Sequence, residues 1–160
     1  MGSQPPAWWT RARDEVVPLF RPGDFGLVVG PRTDAEDVLR AIGSSLGEQP
    51  RSVSEVGLAG TPASTPAELM ERLAGGRLLY DVEALCWKPW LQTSPMAFLR
   101  VYTRRHGALA VWPWGTQGGR LVFSVEGRAD YVRESLAGTA LLRVAPARFP
   151  DQVPFTLERL

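Results

Sequence analysis

The stretch "FGLVVGPRTDAED" (residues 25–37) runs from an apolar segment through Gly30-Pro31 into a charged turn and a helix pattern. In a parallel α/β sheet, such a turn lies at the carboxyl edge of the strands, where ligands bind. Phosphate binding there needs glycines, so that backbone N–H groups converge on the anion. It also needs a lysine for the outer phosphates and a hydroxyl for magnesium. Counted from Gly30, the pattern G-x-x-x-x-G-K-[ST] puts its second glycine at Ala35, its lysine at Glu36 and its hydroxyl at Asp37. Asp34, Glu36 and Asp37 would face a phosphate with three negative charges, yet they suit the helix dipole themselves. Arg32 is the one cation available within the turn. Of the 18 basic residues only Lys88 is a lysine, so this turn has none. The expectation is a turn that binds no nucleotide in the usual way, with an altered, weak site as the rival.

A second candidate is "RLLYDVEAL" (residues 77–85). An acid closing an apolar strand can hold magnesium through water, and a second acid can orient an attacking water. Asp81 and Glu83 have that character, and alternation puts both on one side of an extended chain. The alternative is a pair of acids at a strand end, solvated or paired with Arg104 or Arg105.

Six tryptophans form the third feature: Trp8, Trp9, Trp87, Trp90, Trp112 and Trp114. "CWKPW" and "WPW" both follow expected strands, near one sheet edge. Trp87, Lys88, Trp90, Trp112 and Trp114, rimmed by Arg104 and Arg105, are candidates for a partner-binding surface, because Trp and Arg dominate interface hot spots. Core packing is the competing role, and base stacking a third. Arg100, Arg104, Arg105 and His106 close a helix, where cations complement its dipole. A lone histidine beside a lone cysteine excludes a Cys/His zinc cluster, and one cysteine excludes an internal disulfide. Cys86 sits in an apolar stretch and reads as buried.

The elements that position these residues follow from pattern. "PPAWWTRARDEVVPLF" gives a helix with Trp8 or Trp9, Ala12, Val16, Leu19 and Phe20 near one face, ending before Pro18. Phe25–Gly30 is a central strand. The next helix is capped by Thr33 or Asp34, buries Val38, Leu39, Ile42 and Leu46, and stops at Gly47. Arg51–Gly57 is a weak strand. Thr65, Pro66 and Glu68 start a helix. Arg77–Trp87 is a strand, and Ser94 with Pro95 starts a helix to Arg105 with Phe98, Leu99, Val101 and Tyr102 in the core. Strands follow at Ala108–Gly115 and Arg120–Val125, then a short helix over 128–138. A strand near Leu141–Val144 and a tail complete the chain. Alternating strands and helices imply a three-layer α/β fold with a mostly parallel sheet. The expected organisation is one domain over residues 1–160: an N-terminal helix (1–22), a core (23–135) and a C-terminal extension (136–160). With a net charge of +1, nothing global points to nucleic acid or an anionic membrane. No apolar run reaches the roughly 20 residues of a membrane span. The N-terminal stretch has no signal-peptide pattern, and a cytoplasmic location is expected.

In the order of its segments the chain resembles the small P-loop protein of type 3 BREX phage-defence systems. The matching stretches are "LVVGP" with "VLRAIGSSLG", "LLYDVEAL", "SPMAFLRVYTRR", "ALAVWPWG", "GRLVFSVEG" and "ADY", together spanning about Phe25–Tyr131. The resemblance implies a P-loop-NTPase-like fold and a place in a bacterial anti-phage complex. Gly30 carries over, and Asp81 and Glu83 carry over as positions. The family's phosphate-loop lysine and threonine do not, and Arg32 stands in the altered loop. These four residues mark a nucleotide site without its phosphate grip. The expectation is a pseudo-NTPase, an accessory subunit with no cofactor or metal that binds larger protein subunits and contacts neither nucleic acid nor membrane. The alternative is a divergent ATP- or GTP-binding NTPase with an altered phosphate loop.

Overall fold

A computed structural model describes residues 4–87, 90–124 and 132–160. The core is a six-stranded sheet built from β1 (Phe25–Val29), β2 (Arg51–Ser52), β3 (Leu78–Tyr80), β4 (Ala108–Trp112), β8 (Ala140–Val144) and β9 (Phe155–Arg159). Their order is β2-β3-β4-β1-β8-β9, with β9 alone antiparallel to its neighbour. β1 lies in the middle, with Leu27 opposite Ala110 and Leu141, and Val28 opposite Val111 and Leu142. All five residues of β1 and of β4 are buried, as strands covered on both faces must be.

Alternation along these strands feeds two cores. Val28, Leu109, Val111 and Leu142 pack under α1 (Trp9–Val16), a short 3₁₀ turn (Val17–Phe20) and α2 (Arg32–Leu46). Leu27, Ala110, Trp112 and Leu141 pack on the opposite side, under α3 (Val53–Leu58), α4 (Pro66–Arg72) and α5 (Pro95–Tyr102). The three-layer α/β architecture and the mostly parallel sheet are as expected. Each leucine or isoleucine fully buried in these layers contributes roughly 1.5–3 kcal/mol.

Several helix boundaries follow the local chemistry. The Thr65 hydroxyl accepts from the Glu68 N–H at 3.1 Å, with Pro66 at the first helical position. The Ser94 hydroxyl accepts from the Ala97 N–H at 3.0 Å. Gly47 ends α2 in the left-handed region at φ 71°. α1 stops ahead of Pro18, and the chain continues as the 3₁₀ turn. At the start of α2 the capping residue is Pro31, without a side-chain cap, rather than Thr33 or Asp34.

Other expectations are corrected. The strand over 51–57 is only Arg51–Ser52, because the Ser52 hydroxyl accepts from the Glu55 N–H and starts α3. The strand over 77–87 ends at Tyr80. Asp81 turns left-handed at φ 59°, which Asp tolerates better than most residues, and Val82–Cys86 form a 3₁₀ helix. α5 ends at Tyr102, and Val101 is exposed rather than in the core. Arg120–Phe123 (β6) does not join the main sheet. It pairs with β5 (Thr116–Gln117) and β7 (Val132–Ser135) in a separate antiparallel sheet. β7 replaces the described part of the helix expected over 128–138, since alternating Val132 and Glu134 face inward while their neighbours are exposed. The segment 136–160 supplies β8 and β9 and is integral to the sheet, not an extension of it.

Candidate functional site

The sheet order brings the ends of β1, β2 and β3 to one edge, and the turn after β1 returns over the residues that follow β3. Arg32 is the first residue of α2. Its Nη1 donates to Asp81 Oδ1 at 3.1 Å, and its Nη2 donates to Glu83 Oε1. Glu36, one turn along α2, lies 3.8 Å from the same guanidinium. The other carboxylate oxygen of Asp81 accepts from the Ser52 hydroxyl at 2.6 Å and the Ser54 hydroxyl at 3.1 Å. Arg32, Asp81 and Glu83 thus form one cluster, and the cation on the acids is Arg32 rather than Arg104 or Arg105. Asp81 and Glu83 reach it by a left-handed turn and a 3₁₀ helix, not along an extended strand.

The electrostatics follow from burial. The Glu83 side chain is 3% exposed, and burial pushes its carboxyl above the ordinary range against the pull of Arg32. Partial burial acts to lower the Arg32 guanidinium. The hydrogen bond to Glu83 and the charges of Glu83, Asp81 and Glu36 outweigh it and hold the group above the usual arginine value. Glu83 Oε2 is buried and has no hydrogen-bond partner among the described residues. An isolated buried carboxylate is unfavourable, and the guanidinium compensates it. With Arg32 in place, Asp81 is occupied on both oxygens and Glu83 is closed off from solvent. Arg32 bridges the two acids as one cation against two carboxylates, with Glu36 a third acid beside it.

Gly30 has a packing role. A Cβ there would stand 2.9 Å from Val144 Cβ, so glycine lets the end of β1 approach β8 closely. That close approach accounts for the residue without any anion.

The tryptophans divide. Trp112 is fully buried, and its indole N–H donates to the Gly115 and Val122 carbonyls, both at 3.1 Å. Trp90 is half-buried, donates to the Ala63 carbonyl at 3.0 Å and packs over Gly57, where a Cβ would come within 2.4 Å of its ring. Trp8 and Trp9, at the start of α1, are core residues, and Trp8 meets Phe155 edge-on at 5.7 Å. Only Trp87 (41%) and Trp114 (49%) are substantially exposed among the described tryptophans. Lys88 lies outside the described residues. Arg104 and Arg105 directly precede β4, whereas Trp114 follows it, so the arginines stand at the amino edge of the sheet and cannot rim the tryptophans. His106 contacts the Gly107 carbonyl at 3.0 Å and the Tyr102 ring edge-on. Cys86 is buried. No group of acids, histidines or cysteines suited to a metal ion occurs among the described residues.

Sequence reading passed over Ser52 and Ser54. The spacing Ser52-x-x-Glu55 is a capping-box signal that locates a helix start there, and the hydroxyl of Ser52 serves both the cap and Asp81.

The fold and this cluster define an α/β domain with a mostly parallel sheet and a carboxyl-edge corner in which Arg32 bridges Asp81 and Glu83. Comparison with protein-family models, with curated proteins and with solved structures gives no match. Among the described residues, no helix is long and apolar enough to cross a membrane.

Proposed function

We propose that this chain is a non-catalytic, P-loop-like domain that acts by binding larger protein subunits, as an accessory component of a bacterial BREX-like anti-phage complex. The observation that carries the non-catalytic reading is the closure of Arg32 on Asp81 and Glu83. A cation from the turn itself takes the acids that a nucleotide-binding relative would turn toward magnesium. The place of β1 between β4 and β8, with Gly30 at its exit and Asp81 after β3, supports the P-loop-like reading. The order of sequence segments supports the defence-system context. Exposed Trp87 and Trp114 supply apolar anchors for a protein partner. The proposal assigns no cofactor, no direct contact with nucleic acid or membrane, and a cytoplasmic location.

Calorimetric titration with Mg·ATP and with Mg·GTP tests the first part. No binding at millimolar nucleotide is expected. Micromolar binding abolished by Asp81→Ala would overturn it in favour of a divergent NTPase. Co-purification of the proteins encoded beside the chain tests the second part, and a tagged chain that retains none of them would overturn it.

A further inference from the structure

Beside the closed corner, on the other side of the α2 amino end, two cavities of about 530 and 500 Å³ share Trp8, Ala147 and Pro154 and so form one groove. Each cavity alone is in the range of roughly 300–1,000 Å³ typical of ligand sites. One wall is α2, the other is the connection from β8 to β9, and the far end is Pro6 and Ala7. Five prolines (Pro6, Pro31, Pro146, Pro150 and Pro154) line it. Each has a fixed φ and no N–H, so the walls are pre-ordered and poor in donors. The buried Trp8 lines both cavities, and the second is also lined by Phe149, 66% exposed, and by the exposed Arg148, so the acidic charge of the groove is confined to its near end.

The charges of the first cavity are of one sign. Among the described residues, Asp34 and Asp37 are its only charged side chains. Asp37 pairs with Arg40, whereas Asp34 is exposed and has no cation or hydrogen-bond donor among the described residues. The near end of the groove therefore offers a free carboxylate beside apolar, proline-built walls, and its complement is a cation carried next to apolar surface.

We infer that this groove docks an extended segment of a partner protein in which an arginine or lysine adjoins apolar or proline residues, with the cation on Asp34 and the apolar part along Trp8 toward Phe149. Pre-ordered walls reduce what such a segment loses on binding, and an aromatic, proline-compatible groove is a known mode of capturing extended chains. The inference rests on the partner-binding reading above and names the chemistry of the partner.

The test is selection of random decapeptides on the full chain, followed by affinity measurement with Asp34→Asn, Ala41→Arg and Phe149→Ser. Asp34 and Phe149 are exposed and Ala41 is half-buried on the groove wall, and circular dichroism verifies each fold. Selected peptides are expected to carry a basic residue next to apolar ones. They should lose at least tenfold in affinity with Asp34→Asn and with Ala41→Arg, and less with Phe149→Ser. If Ala41→Arg fails to fold, the other two variants decide. A selection that yields no binder, binders without a basic residue, or binders indifferent to the variants would overturn the groove. Partner proteins that stay bound to the tagged Asp34→Asn and Phe149→Ser chain would also overturn it while sparing the partner-binding reading. That reading fails separately, if the unaltered chain retains no partner.

Discussion

Two faces of α2 reach the carboxyl edge of the sheet, and they handle their charges in opposite ways. Along one face, Arg32, Glu36 and Arg40 stand one turn apart, and Arg32 reaches across to Asp81 and Glu83. Every charge there has a counterpart. Along the other, Asp34, Val38 and Ala41 border an apolar groove, and Asp34 has no counterpart among the described residues. The difference is one of position around the helix. Residues four apart share a face, while Asp34, two residues from Arg32, is turned away from it by about 200°. The closed face has spent its chemistry inside the molecule, and the open face still has some to offer.

The largest expected effect comes from opening the closed face. Arg32→Ala leaves Glu83 buried without a cation. Breaking a fully buried pair costs about 3–5 kcal/mol. Because Arg32 is 46% exposed, solvent moderates the loss, and a destabilisation of about 3 kcal/mol is expected from urea unfolding at neutral pH. An unchanged unfolding midpoint would mean that the cluster holds nothing together. Next is Gly30→Ala, where the new methyl group meets Val144. Overpacking of this kind should cost about 2 kcal/mol, read as a lower thermal midpoint; a neutral outcome would remove the packing role argued for this glycine.

The acidity of Glu83 gives a third test. Its folded carboxyl lies above the ordinary value of 4.5, so the native state holds the proton more tightly than the unfolded chain. Its contribution is therefore complete below that value and is lost as pH rises through the folded pKa. The stability advantage of the unaltered chain over Glu83→Gln should shrink as pH rises from about 4 upward. A difference independent of pH would contradict the raised acidity. In Arg32→Ala the same window should extend to higher pH, because the group that opposes burial is gone. Smallest is Asp34→Asn on the open face. Loss of a first-turn acid costs about 0.5 kcal/mol, so the variant should unfold almost like the unaltered chain.

How far the sequence could be read depended on the range of the interactions. The Thr65-Pro66-Glu68 and Ser94-Pro95 starts, and the Gly47 stop, lie within a few residues of the groups they satisfy, and they appear where local chemistry places them. The central strands were equally plain, because Phe25–Val29 and Ala108–Trp112 are apolar on both faces. Of the small sheet only β6 was legible, as the alternating strand from Arg120, and three of its four residues are buried. β5 and β7 are two and four residues long and partly exposed, and no apolar run marks them. Trp112 and Trp114 differ by two residues, yet one fills the core and the other is 49% exposed. No local rule separates them, because the separation comes from where β4 ends.

Residue types alone excluded a lysine from the turn after β1 and put carboxylates beside it. They also identified Gly30, Arg32, Asp81 and Glu83 as the residues to follow. Their union depended on the sheet. Arg32 is 49 residues from Asp81 and 51 from Glu83, and they meet because β2 and β3 pair beside β4 while β1 lies on its far side. Composition constrains which charges a chain possesses. Which of them neutralise one another and which face a groove is set by strand order and helix phase, since pairing energy requires contact within a few ångströms.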